Sequence, residues 1–458
     1  MLIILTSLVF AFSRGSVSAL EVVSVTSAVN ATTPPVWDYY NKPVMYYQPE
    51  QVHIAIGENV SAIVVTWSTK NFTESVVEYG INGLTLRATG TSTKFVDDGP
   101  RKLFQYIHRV TLTNLQPKSH YMYHCGSKLG WSDIFVFNTV PDSTDWSPRL
   151  AVYGDLGNEN AQSLPRLQQE VAHGKYDMFL HVGDFAYDMF DDNGEIGDQF
   201  MRQIEPIAAY VPYMVAVGNH EERYNFSHYS SRFSMPNTKD NLFYSFNLGP
   251  AHFIGFSTEV YYFLGYGIKQ VVLQYEWLEN DLKEATKPEN RAKHPWIITF
   301  AHRPMYCSDD DGDDCLNYES LVRSGLPIVK WFGLEDLFVK YGVDLEIWAH
   351  EHSYERLWPV YNHKVYNGSW EHPYTNPGAP VHIITGSAGC DEKVDPFIKN
   401  PREWSAFRSS DYGYTRLQIH NSTHLYMEQV SDDLDGAVID FVWLIKEKHG
   451  PYKLDMKP

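Results

Sequence analysis

YMVAVGNHE, residues 213–221, runs through five apolar or aromatic positions and then breaks at Gly218 into Asn219, His220 and Glu221. A run this short, rich in Val and bounded by a turn former, reads as a buried strand rather than a helix. The same grammar recurs four times: Leu150–Tyr153 before Asp155, Met178–Val182 before Asp184, Trp296–Phe300 before His302, and Leu345–Trp348 before His350 and His352. In open α/β sheets, chemistry gathers just beyond the carboxyl ends of strands. Five strand ends that each stop at a metal-ligating residue type therefore predict both an α/β fold and one site.

Working outward, amphipathic stretches separate these runs: AQSLPRLQQEVAHG, QFMRQIEPIAAY and QYEWLENDLKEA, the first with Gly174 as its stop. The α/β grammar begins at Arg149 and reaches Glu355. VHIITGSAGC and YGYTRLQIHNSTHLYMEQVS then return to strands that complete a sheet of the same domain, 149–450. Before it, PDSTDWSP, residues 141–148, has the composition of a linker. Residues 51–140 carry seven short alternating runs with Gly, Asn and Pro between them, and Trp67 in the second, which predicts a fibronectin-like β-sandwich. That region gathers no catalytic residue types and reads as a structural or interaction module. Residues 20–50, with ATTPP, read as an extended lead.

The first 19 residues, an apolar run followed by Ser-Val-Ser-Ala, have the form of a secretory signal peptide without a Lys or Arg ahead of the apolar core. The run is shorter than the ~20 residues a membrane span needs. Sequons at Asn30, Asn59, Asn71, Asn225, Asn367 and Asn421 agree with export and predict N-linked glycans on surface loops. The expected destination is extracellular or lysosomal. Four cysteines are too few to build the fold. Cys307 and Cys315 bracket the acidic loop SDDDGDD and are expected to pair in an oxidising compartment, while for Cys125 and Cys390 a long bridge and two buried thiols both stand. A net charge of -19 argues against nucleic acid and against an anionic membrane surface. It does not exclude a phosphate substrate, because acidic residues more than about 8 Å away are largely screened at physiological salt.

Collected, the strand ends offer Asp155, Asp184, Tyr187, Asn219, His302, His350 and His352. This mixed N/O set suits iron, zinc or manganese, and the lack of cysteine disfavours a structural zinc site. Singly, each residue has a plain structural reading: Asp155, Asp184 and Asn219 as turn formers, Tyr187 as a core residue, His350 and His352 as a hydrogen-bonded pair. Seven donors exceed one ion's needs. With Asp184 bridging, two ions fit at the ~3.5–4 Å separation that clamps an oxygen-transfer centre.

The ordered set GDLG, GDFAYD, GNHE, AHRP and AHEH resembles the metallophosphoesterase signature, and Tyr187 within GDFAYD narrows the resemblance to the purple acid phosphatases. It covers nearly the whole chain, since larger members carry an N-terminal β-sandwich, and it implies a catalytic αββα sandwich. It further implies that Asp155, Tyr187 and His352 hold Fe(III), that Asp184 bridges, and that Asn219, His302 and His350 hold a divalent iron, zinc or manganese ion. Hard trivalent iron favours anionic oxygens, which agrees with that division, and ferric tyrosinate gives the family its colour. The implied activity is hydrolysis of phosphate monoesters by a metal-bound hydroxide, with His220 stabilising the transferring phosphoryl group or protonating the leaving group. The structural alternative for His220 is that it only orients Asn219 or an outer group.

Two departures stand out. Ala349 replaces the glycine of the usual final motif. The acidic loop Ser308–Asp314 occupies the place where many plant members carry substrate-contacting histidines, as in animal-type members, and its charge is expected to repel highly charged substrates. Glu221, Arg303 and Arg356 read as buried ion-pair partners. Two other functions remain: a phosphodiesterase or pyrophosphatase of the same superfamily, and a non-catalytic secreted binding glycoprotein with a vestigial metal site. Tyr187 argues against the first, and the presence of all seven donors against the second.

Overall fold

The computed structural model describes residues 46–317 and 320–454. The expected signal peptide, nearly all of the extended lead and the Asn30 sequon lie outside the described residues.

Residues 50–138 form two antiparallel sheets. One holds Glu50–Ile56, Ile63–Thr69, Phe104–Leu112 and Thr91–Val96 in that order, and the other is built around Val76–Gly80 and His120–Ser127. Alternation turns one face of each sheet inward, and Ile54, Val65, Trp67 and Val110 share a core with Val77, Tyr121, Tyr123 and Phe137. The sequence reading of seven strands undercounts. The run LRATGT divides at Gly90, where a Cβ would lie 1.9 Å from the Arg109 carbonyl oxygen, into Leu86–Thr89 and Thr91–Val96 on different sheets. Gly130–Trp131 adds a further short strand.

From Arg149 the chain builds two mixed sheets. The six-stranded sheet has the order Tyr213–Ala216, Met178–Val182, Arg149–Tyr153, Gly413–Ile419, His424–Ser431, Ala437–Ile445. Its first three strands are parallel and its last three antiparallel. The seven-stranded sheet has the order Tyr244–Leu248, Ala251–Gly255, Trp296–Phe300, Leu345–Trp348, Val381–Thr385, Tyr354–Leu357, Ser405–Ser409. Leu150, Val152, Leu417 and Met427 of the first sheet share one core with Phe253, Ile298, Ile347 and Ile383 of the second. Helices Leu164–Ala172 and Glu195–Ala208 bury Leu167, Phe200, Ile204 and Ile207 in that core, while Lys269–Ala285 and Glu335–Tyr341 pack Leu278, Leu282 and Phe338 against Ile297, Trp348 and Ile384. The result is an αββα sandwich behind a β-rich N-terminal domain. The segments past Glu355 complete both sheets rather than one, because Val381–Thr385 joins the seven-stranded sheet and the strands from Gly413 onward join the other.

The N-terminal domain is tied down at Asp198. This buried carboxylate takes hydrogen bonds from Lys70 Nζ and Arg232 Nη1, each at 2.7 Å, and from Gln105 Nε2 at 2.9 Å. Val52 N also donates to Glu205 at 2.8 Å, and Tyr123 Oη to the Ala209 carbonyl at 2.7 Å. Cys307 and Cys315 form a disulfide, whereas Cys125 and Cys390 are separate buried thiols.

Candidate metal centre

Two sets of parallel strand ends face each other. Tyr213–Ala216, Met178–Val182 and Arg149–Tyr153 lie side by side in the six-stranded sheet, and their ends carry Asn219, Asp184 with Tyr187, and Asp155. Trp296–Phe300 and Leu345–Trp348 are parallel neighbours in the other sheet and carry His302, His350 and His352. The chain reverses sharply after these strands, in left-handed backbone at Asp155 (φ 58°), Asp184 (φ 50°), Tyr187 (φ 47°) and His350 (φ 73°). Aspartate tolerates that conformation, but at tyrosine and histidine it is strain held by the surrounding structure, a signature of functional sites. Close approach explains the glycine before Asn219: a Cβ on Gly218 would sit 2.1 Å from Asp184 Oδ1. The departure at Ala349 also has a physical answer. A Cβ on Gly154 would lie 2.4 Å from the Ala349 Cβ, so the methyl fills the space that glycine leaves on the opposite sheet.

All seven expected donors meet here, in two groups. In one, Tyr187 Oη lies 2.8 Å from His352 Nε2 and donates to Asp155 Oδ1 at 3.2 Å, and His352 Nε2 is 3.7 Å from the same oxygen. In the other, His302 Nε2 lies 3.1 Å from Asn219 Oδ1, 3.2 Å from His350 Nδ1 and 3.1 Å from Asp184 Oδ2. His302 Nε2 is also 4.0 Å from Asp155 Oδ1, which joins the groups.

Outer contacts fix which ring nitrogen faces inward. His302 Nδ1 bonds the Val182 carbonyl at 2.9 Å, across the two sheets, and His352 Nδ1 bonds the Lys393 carbonyl at 2.8 Å. His350 is turned the other way, its Nε2 against Asp313 and 2.7 Å from Arg303 Nη1. Such partners orient a metal-ligating imidazole and raise its basicity. Glu221 is more than an ion-pair partner, since its carboxylate accepts from the backbone N–H of Asp184 and Phe185 at 3.0 Å and of Gly218 at 2.9 Å, strapping two strand ends together. Arg303 joins Glu259 and Asp313, both at 3.0 Å, while Arg356 pairs with Asp440 at 2.7 Å, away from the donors.

His220 is one-fifth exposed beside the donors. Its Nδ1 lies 2.6 Å from Asp188 Oδ1, its ring centroid 4.3 Å from that of Tyr187, and its Nε2 3.8 Å from Glu392. Burial disfavours its imidazolium, but the Asp184 and Asp188 carboxylates outweigh that and lift its pKa to about 10. Asp188, Asp313, Glu392 and Asp395 escaped the sequence reading. Asp188 alone had a local signal, as the last letter of GDFAYD.

The donor set fits a metal pair. Asp155 and Asp184 are fully buried, and among the described residues their ion-pair partners are imidazoles, never Lys or Arg. Burial pushes the Asp155 carboxyl up to about 7 against the pull of His302 and His352, while His302 and His220 overcome burial at Asp184 and hold it below the usual carboxylate range. Buried carboxylates are stable only when paired or on a metal, and imidazoles already fixed at their far nitrogens present lone pairs for that role. The carboxylates of the acidic loop have different surroundings. Asp309 is buried, Asp313 turns in to His350, Asp314 accepts from Tyr262, and Asp310 and Asp311 are the exposed carboxylates of the loop.

Known proteins share this organisation. Residues 49–139 match the model for the purple acid phosphatase N-terminal domain, 148–354 the calcineurin-like phosphoesterases, and 379–441 the iron/zinc purple acid phosphatase-like protein C region. An acid phosphatase type 7 of Danio rerio is 61% identical over 88% of this chain and 93% of its own length, and one of Homo sapiens is 57% identical over 88% and 92%. Purple acid phosphatase 22 of Arabidopsis thaliana is 30% identical over 86% of this chain and 85% of its own. Among solved structures, the purple acid phosphatase PPD1 from yellow lupin seeds superposes with a TM-score of 0.73 at 26% identity, covering 87% of this chain and 75% of that one. This chain belongs to the purple acid phosphatase family.

Proposed function

We propose that this metal-dependent acid phosphatase hydrolyses phosphate monoesters at the cleft between its two sheets. In this reading Asp155, Tyr187 and His352 hold Fe(III), Asn219, His302 and His350 hold a divalent iron, zinc or manganese ion, and Asp184 bridges the two. The observation that carries it is the convergence of four oxygen donors and three inward-facing imidazole nitrogens around two buried carboxylates that lack a Lys or Arg partner among the described residues. A bound metal pair supplies Lewis acidity toward the phosphoryl oxygens and activates water at acid pH.

The protein's own residues supply the rest. His220 holds a proton at Nε2, because Asp188 accepts from its Nδ1, and it stands at the open side of the donor set. From there it gives that proton to the departing alkoxide, whose own basicity would otherwise slow its release. Glu221 keeps the turns of Asp184 and Asn219 in register. Export to an extracellular or lysosomal compartment fits a disulfide in the chain, and exposed sequons at Asn59, Asn225, Asn367 and Asn421 support N-linked glycans. No helix among the described residues is long and apolar enough to cross a membrane. The two-sheet N-terminal domain supports the fibronectin-like reading.

The test is one preparation: metal content, visible spectrum, and pH profiles on an aryl phosphate and a matched diester. Two metals per chain including iron, a tyrosinate band, an acidic optimum and a preference for the monoester are expected. One zinc per chain without a band overturns the assignment, and a preference for the diester transfers it to the phosphodiesterase reading.

A further inference from the structure

A cleft of about 580 Å³ opens where the four-stranded sheet of the N-terminal domain meets the end of helix Arg223–Arg232 and the turn 233–241. None of the seven metal donors lines it. Alternation along the paired strands Thr91–Val96 and Phe104–Leu112 turns Thr93, Ile107, Arg109 and Thr111 to one face of that sheet. Phe233, Met235 and Lys239 line the other wall. Phe95, Ile107, Phe233 and Met235 are buried, whereas Thr93, Lys94, Thr111 and Lys239 are exposed. The cleft therefore has an apolar floor and a polar, basic rim.

The chain has 56 acidic and 37 basic side chains, yet Lys94, Arg109 and Lys239 line this cleft and, among the described residues, no Asp or Glu does. The neighbouring Asp240 is turned into its own loop, where Oδ1 accepts from Thr238 Oγ1 at 3.2 Å and from Leu242 N at 3.3 Å. None of the three cations pairs with a carboxylate among the described residues. Lys94 rests its ammonium 3.9 Å from the Phe104 ring centroid, a contact that leaves its charge uncompensated. Arg109 is half-buried and held in place: Nε donates to Ser234 Oγ at 2.8 Å, and Nη2 to the Ser231 carbonyl and, at 3.4 Å, to the Phe233 carbonyl. Those carbonyls end the helix, so capping accounts for both nitrogens. It does not account for Nη1, which makes no hydrogen bond among the described residues. Burial with no carboxylate to offset it draws the Arg109 pKa below its ordinary value. A cation that gives up water without an ion pair is costly, and an anion in the cleft relieves that cost. The hydroxyls of Thr93, Thr111 and Ser231 also lack partners among the described residues and are free to donate.

We propose that this cleft binds the phosphate or sulfate group of an ester with an apolar body, with Arg109 Nη1 donating to the oxyanion and Lys94 and Lys239 adding positive charge at the rim. Guanidinium suits a tetrahedral oxyanion because its donors are fixed and always charged. The body of the ester lies on the floor of Phe95, Ile107 and Met235, and the volume exceeds what a bare oxyanion fills. The ester is held here and not cleaved, since the metal donors are elsewhere.

The test uses the full-length, metal-loaded protein and two probes: phenylphosphonate, which stands for a phosphate ester but has no ester bond to hydrolyse, and phenyl sulfate. Each is titrated by calorimetry, with turnover of an aryl phosphate followed at the same concentrations. One equivalent bound outside the metal centre is expected for at least one probe, and the tighter probe names the ester. Arg109→Gln is expected to weaken that binding about tenfold or more, and Lys94→Gln combined with Lys239→Gln about fivefold, both at parental kcat. The two lysines are exposed, so the double variant carries the test if Arg109→Gln does not fold. Inorganic sulfate is expected to bind about tenfold more weakly than phenyl sulfate because it buries no ring, and equal affinity overturns the ester reading. Binding of neither probe up to millimolar concentration overturns the proposal, as does parental affinity in the lysine double variant. A probe whose binding follows its inhibition of turnover in every variant sits on the metal centre, which also overturns it. Binding is read separately from turnover, so its failure leaves the phosphatase reading untouched.

Discussion

The six-stranded sheet sends oxygens into the cleft, from Asp155, Asp184, Tyr187 and Asn219, whereas the seven-stranded sheet sends imidazoles, from His302, His350 and His352. The two halves are also held differently. On the oxygen side, backbone N–H groups do the holding, as where His350 N donates to Asp155 Oδ2 and His220 N to Asp184 Oδ1, both at 3.0 Å. On the nitrogen side the holding groups are acceptors: the Val182 and Lys393 carbonyls and the Asp313 carboxylate. Neither sheet alone offers both a hard anionic set and a borderline one. The difference teaches that the centre belongs to the seam between the sheets.

Asp184→Asn is the severest way to break this comparison, because it neutralises the buried carboxylate 3.1 Å from His302 Nε2 that the proposed assignment gives to both ions. A loss in kcat of at least on the order of 10³-fold is expected, beyond the 10–100-fold that outer contacts cost, with metal analysis showing both ions depleted. His302→Ala sharpens the contrast. On the proposed assignment His302 belongs to the divalent ion and His352 to iron, so metal analysis is expected to show preferential loss of the divalent ion while iron and its visible band persist. His220→Ala leaves both halves intact and is expected to lower kcat about 10²-fold at unchanged metal content, with the slowing greatest for esters of basic alcohols. Asp313→Asn loosens one imidazole from behind and is expected to weaken divalent-metal affinity about 10-fold, measured by competition with a chelator.

The smallest effect lies outside the seam. Burial pushes the Glu170 carboxyl up, but Lys175, Tyr176, Tyr414 and Arg416 outweigh it and hold its pKa at about 2, below its ordinary 4.5. Its folded pKa is depressed, so its contribution is present above pH 4.5 and fades as pH falls through about 2, which leaves it intact where an acid phosphatase works. Glu170→Gln is expected to lose on the order of 1–2 kcal/mol at pH 6, with the difference from the parent closing below pH ~3 in acid-denaturation curves.

Much of this was legible because the donors sit two to five residues past apolar runs, where local pattern and chemistry coincide. The left-handed turns at Asp155 and Asp184 needed only a Gly-Asp step to be suspected. What stayed hidden was long-range. Asp313 meets His350 from 37 residues away, and Asp395 meets His352 from 43, through loops whose composition reads only as acidic. The division of the late strands between the two sheets was missed for a related reason, since a strand such as Val381–Thr385 carries no mark of which partner it will pair with. The break inside LRATGT turned on one glycine pressed against the Arg109 carbonyl, a contact that no periodicity reveals.

The meeting of Gly154 with Ala349 has a consequence of its own. The space there admits one methyl, and this chain puts it on the seven-stranded side. Gly154→Ala alone would wedge the sheets apart directly beneath the site, while Gly154→Ala combined with Ala349→Gly returns the same volume from the other side. The pair is thus a single position written twice in the sequence. A lineage crosses from one spelling to the other safely through the double-glycine state, with a small void, and not through the double-alanine state, with a clash.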